Sequence, residues 1–164
     1  MDQLWAPWRL AYVAKPPAPA DGDDCFICRG LAAHDDRANL IVCRTTLGAV
    51  LLNKFPYNNG HLLVAPQAHK GRLDELTAEE SQDLQRALTR MVAVLERTMK
   101  PDGFNVGLNL GKVAGAGLPG HLHWHVVPRW NGDTNFMPVL TDVRVIAQSL
   151  DAAYDLLSTA VAGT

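Results

Sequence analysis

His121-Leu122-His123-Trp124-His125-Val126-Val127 places a histidine at every second position. In an extended strand, alternate side chains point to opposite faces. The three imidazoles then line one face, about 6–7 Å apart along the chain. Leu122, Trp124 and Val126 line the other, where apolar side chains belong in a core. Half of the chain's six histidines fall on this one face. Imidazole serves two chemistries near neutral pH, metal ligation and nucleophilic or acid–base transfer. The surrounding sequence must decide between them.

Working outward, residues 111–120 (GKVAGAGLPG) form a glycine-rich loop that runs directly into the histidines, and residues 104–110 read as the strand before it. Residues 39–44, 47–53 and 61–65 read as three more strands, the last stopped by Pro66, with the turn cluster Phe55-Pro56-Tyr57-Asn58-Asn59-Gly60 between the second and third. Thr77 and Glu80 have the spacing of a capping box. Leu84, Leu88, Met91, Val92 and Leu95 then recur at helical spacing until Pro101 and Gly103. Val143, Ile146, Leu150, Tyr154 and Leu157 mark a C-terminal helix after Pro138. The expected fold is α+β: an antiparallel sheet of about five strands, one long helix and a C-terminal helix, with the helices against one face.

A length of 164 residues suits one domain with a real core, and 48% apolar content is normal for a globular chain. The expected organisation is an N-terminal arm and loop over residues 1–24, the main domain over 25–140, and a helix of the same domain over 141–164. The arm carries Trp5, Trp8 and Tyr12. A net charge of -2 gives no electrostatic footprint for a nucleic-acid polymer. No stretch approaches a membrane span. Met1-Asp2-Gln3-Leu4-Trp5 lacks a basic start and a following apolar run, so no export signal is read. With three cysteines, this points to the reducing cytoplasm.

Several residues carry chemistry with an ordinary alternative beside it. The loop glycines, Gly115 and Gly117 among them, let backbone N–H groups approach an anion, and Lys112 adds charge; the same loop could simply connect two strands. Cys25-Phe26-Ile27-Cys28 has the gap of half a zinc site. It could equally be a pair of buried thiols, or a redox pair, although its Asp- and Pro-containing surroundings are not the usual redox context. His69 and His121 are the candidates to complete a Cys2His2 tetrahedron. Cys43 reads as packing, His34 as exposed, and His61 as a surface or hydrogen-bonded residue. Asn53 ends a strand and would either bind a ribose hydroxyl or cap the turn. Trp124 and Trp130 read as core or interface.

The His-x-His-x-His-Val-Val stretch resembles the signature of the histidine triad (HIT) superfamily. Asn53 to Pro66 (NKFPYNNGHLLVAP), His69, the Cys25-x-x-Cys28 pair, and Asn109 with its following glycines extend the likeness. It covers roughly residues 25–136. Within the superfamily, residues 108–137, ending PRWNGDTNFM, look most like the bacterial diadenosine tetraphosphate phosphorylase branch. The resemblance implies nucleotidyl transfer through a covalent nucleotidyl-histidine. His123 would be the nucleophile, and His125 and His61 would contact the phosphate. Asn53 would hold the ribose and Asn109 the phosphate. Cys25, Cys28, His69 and His121 would hold a structural zinc; no organic cofactor is expected. An adenine nucleotide is the expected substrate, inorganic phosphate or water the acceptor, and a homodimer the assembly. Many members carry Ser, Thr or Gln shortly before the triad, where this chain has Gly117-Leu118-Pro119-Gly120. Leaving-group contacts would then come from backbone amides or Lys112.

Three other readings stand beside phosphorolysis. Water as acceptor gives a hydrolase of dinucleoside polyphosphates or nucleoside phosphoramidates. Three histidines on one catalytic metal give a metal-dependent hydrolase. A nucleotide-binding module without catalysis belongs to a different class altogether.

Overall fold

Alternation in the strands decides which side chains meet the helices. A computed structural model of the chain describes residues 25–133 and 146–163. The elements are α1 (Phe26–Ala32), β1 (Ile41–Arg44), β2 (Gly48–Leu52), β3 (Leu62–Pro66), α2 (Ala78–Met99), β4 (Gly103–Leu108), β5 (Trp124–Arg129) and α3 (Leu150–Ala162). The five strands form one sheet in the order β1-β2-β3-β5-β4. Every neighbouring pair is antiparallel. The expected α+β class, strand number and two larger helices are all present.

Val50 and Leu52 of β2, Leu62 and Val64 of β3, and Val126 of β5 join the main core with Leu84, Leu88, Met91 and Leu95 of α2 and Tyr154 and Leu157 of α3. Residues of opposite parity, Ala49, Leu51 and Leu63, pack on the other face with Ile41 and Leu31. Leu63 is the register partner of His125. The two larger helices, α2 and α3, thus cover one face, and the odd-numbered residues of β5 lie on the opposite one, as the period-2 pattern required. Trp124 packs against the helix-side core, partly buried, in line with its structural reading.

The start of α2 follows the capping box closely: Thr77 Oγ1 accepts from Glu80 N–H at 3.2 Å, and Thr77 N–H donates to Glu80 Oε2 at 2.7 Å. Lys70 Nζ meets the same Glu80 carboxylate oxygen at 2.6 Å, so the helix start also anchors the chain beyond β3.

Cys25-x-x-Cys28, given no element in the sequence reading, opens a short helix: Cys25 caps α1, its Sγ accepting from Cys28 N–H at 3.4 Å. Three expectations need correction. The strand of the histidines begins at Trp124, not at His121. Ladder pairing of β3 with β5 stops at Val64 and Trp124, and the carbonyl of Pro66 is taken by the His121 ring instead of a strand. Strand β4 ends at Leu108, short of 110. The C-terminal helix starts at Leu150, where Ser149 caps it by accepting from Ala152 N–H; Ile146 precedes it, so the helix is shorter than 141–164. Val143, Pro138 and the arm of residues 1–24 lie outside the described residues.

Candidate active site and metal centre

The four donors that the sequence scatters over almost a hundred positions come together. One ligand atom each from Cys25, Cys28, His69 and His121 lies within 4.8 Å of all the others. His121 Nδ1 is 3.2 Å from Cys25 Sγ and 3.4 Å from Cys28 Sγ, and His69 Nδ1 is 3.3 Å from Cys28 Sγ. Zinc bonds of about 2.0–2.3 Å in a tetrahedron set neighbouring ligands about 3.3–3.8 Å apart, so the set is near that shape. His121 is fully buried, and its Nε2–H donates to Pro66 O at 2.9 Å. That bond leaves the Nδ1 lone pair facing the sulfurs, the outer partner a metal-ligating imidazole needs. Burial and the adjacent Cys25 push the Cys28 thiol up to about 11. A bound dication would draw such a thiol into the thiolate form. The donor set fits zinc.

His123 is 5% exposed. Its Nδ1 is 2.8 Å from His121 O. A carbonyl only accepts, so Nδ1 carries the proton and Nε2 keeps its lone pair. The His125 ring stands edge-on to that of His123, centroids 5.2 Å apart.

His61 and His125 are joined from adjacent strands. His61 Nε2 lies 2.9 Å from His125 Nδ1. The direction of this bond is set further back. Tyr57 N–H donates to His61 Nδ1 at 3.0 Å, and Asn53 Nδ2 approaches the same nitrogen at 3.3 Å. His61 Nδ1 is therefore an acceptor, Nε2–H donates to His125 Nδ1, and His125 carries its proton on Nε2. Burial, with His123 next to it, lowers the His125 imidazole to about 4. It is neutral at pH 7 with one N–H to offer. The Tyr57 ring stacks over His125 at 5.6 Å and leans on His61 at 4.6 Å, and His61 is fully buried beneath it.

Asn53 proves to be both a turn cap and a site neighbour: its Oδ1 accepts Phe55 N–H at 3.0 Å while Nδ2 faces His61. Asn109 follows β4, and its Nδ2 is 3.5 Å from Gly115 O. Lys112, Gly115 and Gly117 are exposed on the loop, with open space above Gly117. The loop is more ordered than its composition suggests. Lys112–Ala114 form a 3₁₀ turn. The N–H groups of Ala114, Gly115 and Ala116 bond to carbonyls of Gly111 and Lys112, so Gly115 offers a phosphate room to approach rather than its amide. The three histidines do not converge as one ligand set, because His121 is turned into the cysteines. His34 is exposed and Cys43 packs against the core, as read from the sequence.

Tyr57 and the Pro66 carbonyl were not legible as site members. The aromatic residue in the turn before His61 was the only available hint of the first, and a carbonyl leaves no mark in a sequence.

The HIT domain model matches residues 36–132, more than half of the chain. The chain belongs to the HIT family. A relative from Mycobacterium tuberculosis named AP-4-A phosphorylase is 39% identical over 163 residues, 97% of this chain and 84% of its own length. The asymmetrical bis(5'-nucleosyl)-tetraphosphatase of Schizosaccharomyces pombe is 37% identical over 90 residues, 55% of this chain and 49% of that one. Among solved structures, a Zn-bound histidine triad family protein from Mycobacterium smegmatis superposes with a TM-score of 0.70 at 25% identity, covering 87% of this chain and 96% of that one. In this HIT protein the three histidines part: His121 turns to the cysteine cluster, while His125 bonds to His61 and stands edge-on to His123.

Proposed function

We propose that the chain cleaves dinucleoside polyphosphates at the α-phosphate, as a diadenosine tetraphosphate phosphorylase with ADP and ATP as products. The observation that carries this is the bond from His123 Nδ1–H to the His121 carbonyl, which holds the ring in place with Nε2 as the nitrogen left to attack. In the first step Nε2 bonds to the α-phosphorus, the bridging P–O bond breaks, and ATP leaves with that electron pair. In the second, an oxygen of inorganic phosphate attacks the nucleotidyl-histidine, the P–N bond breaks, and ADP forms as His123 is restored. His125 Nε2–H donates to a non-bridging oxygen as charge builds there, supported by His61. Asn53 takes the ribose. Asn109, Lys112, Gly115 and Gly117 border the phosphate chain and leaving group. The phosphorylase name of the 39% identical relative supports phosphate as the acceptor.

Cys25, Cys28, His69 and His121 hold zinc in a closed four-ligand site, where it supplies a cross-link between α1, the chain after β3 and the approach to β5. The main domain is assigned to residues 25–140 with α3 as its last element and 1–24 as an arm. The assembly is a homodimer joined along β4. This strand is an edge of the sheet, with Val106 49% exposed. A groove of about 440 Å³ between β4 and α2, lined by Leu88, Val92, Val106 and Trp124 among others, runs beside it. Among the described residues no helix is long and apolar enough to cross a membrane. Three cysteines outside any disulfide support the cytoplasm as its compartment.

The experiment is product analysis with diadenosine tetraphosphate, with and without inorganic phosphate. ADP plus ATP, formed only with phosphate, is the expected result. AMP plus ATP regardless of phosphate would make the enzyme a hydrolase. No turnover with retained nucleotide binding would make it a binding module.

A further inference from the structure

Beyond the histidines runs Pro128-Arg129-Trp130-Asn131-Gly132-Asp133, which has no part in the roles above. It ends in a tight turn: Asp133 N–H donates to Trp130 O at 3.0 Å, with Gly132 at φ 78, a conformation glycine adopts without strain. The Asp133 side chain is only 8% exposed. Arg129 donates to it through Nε at 2.6 Å and Nη2 at 2.8 Å, and Trp130 N–H donates at 3.2 Å. This pairing holds the carboxyl at about 2, so it is an ionised acceptor throughout the neutral range. One more donor reaches it from far along the chain: Asn58 Nδ2, at 2.7 Å.

Asn58 opens the turn that ends at His61. His61 N–H donates to Asn58 O at 3.3 Å, and Gly60 stands at φ 69. A side chain at Gly60 would collide with Met99 Sδ at 2.6 Å. The Asn58 amide is committed on every side. Nδ2 serves both Asp133 and Pro128 O, the latter at 3.1 Å, and Oδ1 accepts Asn59 N–H at 3.0 Å. It lies where the β3–β5 ladder ends. The last register pair here is Leu62 with Val126, and Pro128 has no N–H with which to extend it. The Asn58 side chain takes up the Pro128 carbonyl instead. Its neighbour Tyr57 supplies the N–H that bonds His61 Nδ1.

We propose that Asp133, acting through Asn58, is a positioning residue for the His61–His125 pair: it clasps the Asn58–His61 turn to the end of β5, keeps the Tyr57 N–H on His61 Nδ1, and so keeps His61 Nε2–H donating to His125. Neither Asp133 nor Asn58 touches the reacting atoms. The kinetic consequence rests on the reading of His125 as the phosphate's partner; the geometric one does not.

The test uses two variants. Asn58→Ala removes the link but leaves the Arg129–Asp133 pair intact; Asp133→Asn weakens the link from the other side. In ¹⁵N-labelled protein without substrate, the His61 Nε2–H proton is expected to be hydrogen-bonded and slow to exchange in the parent. Exchange should be at least about tenfold faster in either variant. Diadenosine tetraphosphate turnover should fall about 10- to 100-fold in kcat, the scale of a small misplacement, with KM within about threefold. In a His61→Ala background, Asn58→Ala should cost less than about twofold more, because the clasp acts through His61. The proposal is overturned if the His61 proton keeps its parental exchange rate in the folded variants, or if Asn58→Ala costs the same factor with His61 absent. A freed His61 proton with unchanged turnover would support the clasp and remove His125 from the phosphate.

Discussion

His121 ties its ring among the cysteines to His123 through its own backbone: Nδ1 faces Cys25 and Cys28, while its carbonyl oxygen accepts Nδ1–H of His123 at 2.8 Å. A second main-chain link runs in parallel. Lys70 O, one residue beyond His69, accepts Leu122 N–H at 2.7 Å. The stretch carrying His123 is thus held from both sides by residues that belong to, or adjoin, the cysteine–histidine cluster.

Replacing His123 with alanine should abolish turnover, by at least about a thousandfold, and leave nucleotide affinity within a few fold. Steady-state kinetics and equilibrium binding of a non-cleavable analogue check this. In the parent enzyme an acid-labile nucleotidyl adduct should be trappable, since a phosphoramidate breaks in acid. Full activity in the alanine variant would remove His123 from the chemistry.

Protein purified without chelator should contain about one zinc per chain. Its removal should lower the melting temperature and unlock Cys25 and Cys28 to alkylation, because binding energy at such a site is folding energy. His123 should lose its fixed aim at the same time. Elemental analysis with thermal scans before and after chelation measures both. A metal-free preparation whose two cysteines alkylate at once would return them to a thiol pair.

Acid should destabilise the fold through His125. Its imidazole is lowered from 6.5 to about 4 by burial, with His123 beside it, and His61 and Tyr57 complete its surroundings. Between these values the unfolded chain binds a proton that the folded one refuses. The stabilisation is therefore fully present above about 6.5 and is lost as pH falls towards 4, by up to about 3 kcal/mol. Urea unfolding at pH 7 and pH 4.5 reads the loss, and His125→Gln should flatten it. An equally steep pH dependence in that variant would assign the effect elsewhere.

Val106→Asp should split the proposed homodimer. It places a charge on the exposed edge strand β4, next to the apolar groove against α2, where like charges would meet across a two-fold axis. Sedimentation should show the parent at twice the chain mass and the variant at one. A parent that already sediments as a monomer would refute pairing along β4.

The sheet, the long helix and the family were legible because they rest on local rules. Val50, Leu52, Leu62 and Val64 announce their strands by alternation, and Thr77 with Glu80 announces α2 by a spacing of three. The short helix α1 was missed because seven residues leave too little periodicity to read, and because the group capping it is a thiol rather than the usual hydroxyl or carboxylate. The clasp between Asn58 and Asp133 was also hidden. Each reads alone as an ordinary turn residue, and 75 positions separate them.

By itself the sequence determined the chemistry available: which imidazoles alternate, which thiols are spaced for a metal, and which residues end each strand. Those properties follow from backbone geometry and side-chain type over a few residues. Only the tertiary structure decided that His121 turns to the cysteines while His123 keeps a bare Nε2 and His125 a free N–H. A ring nitrogen takes its role from the partner opposite it, and those partners are Pro66 O, His121 O and His61, groups whose positions exist only once the sheet has closed.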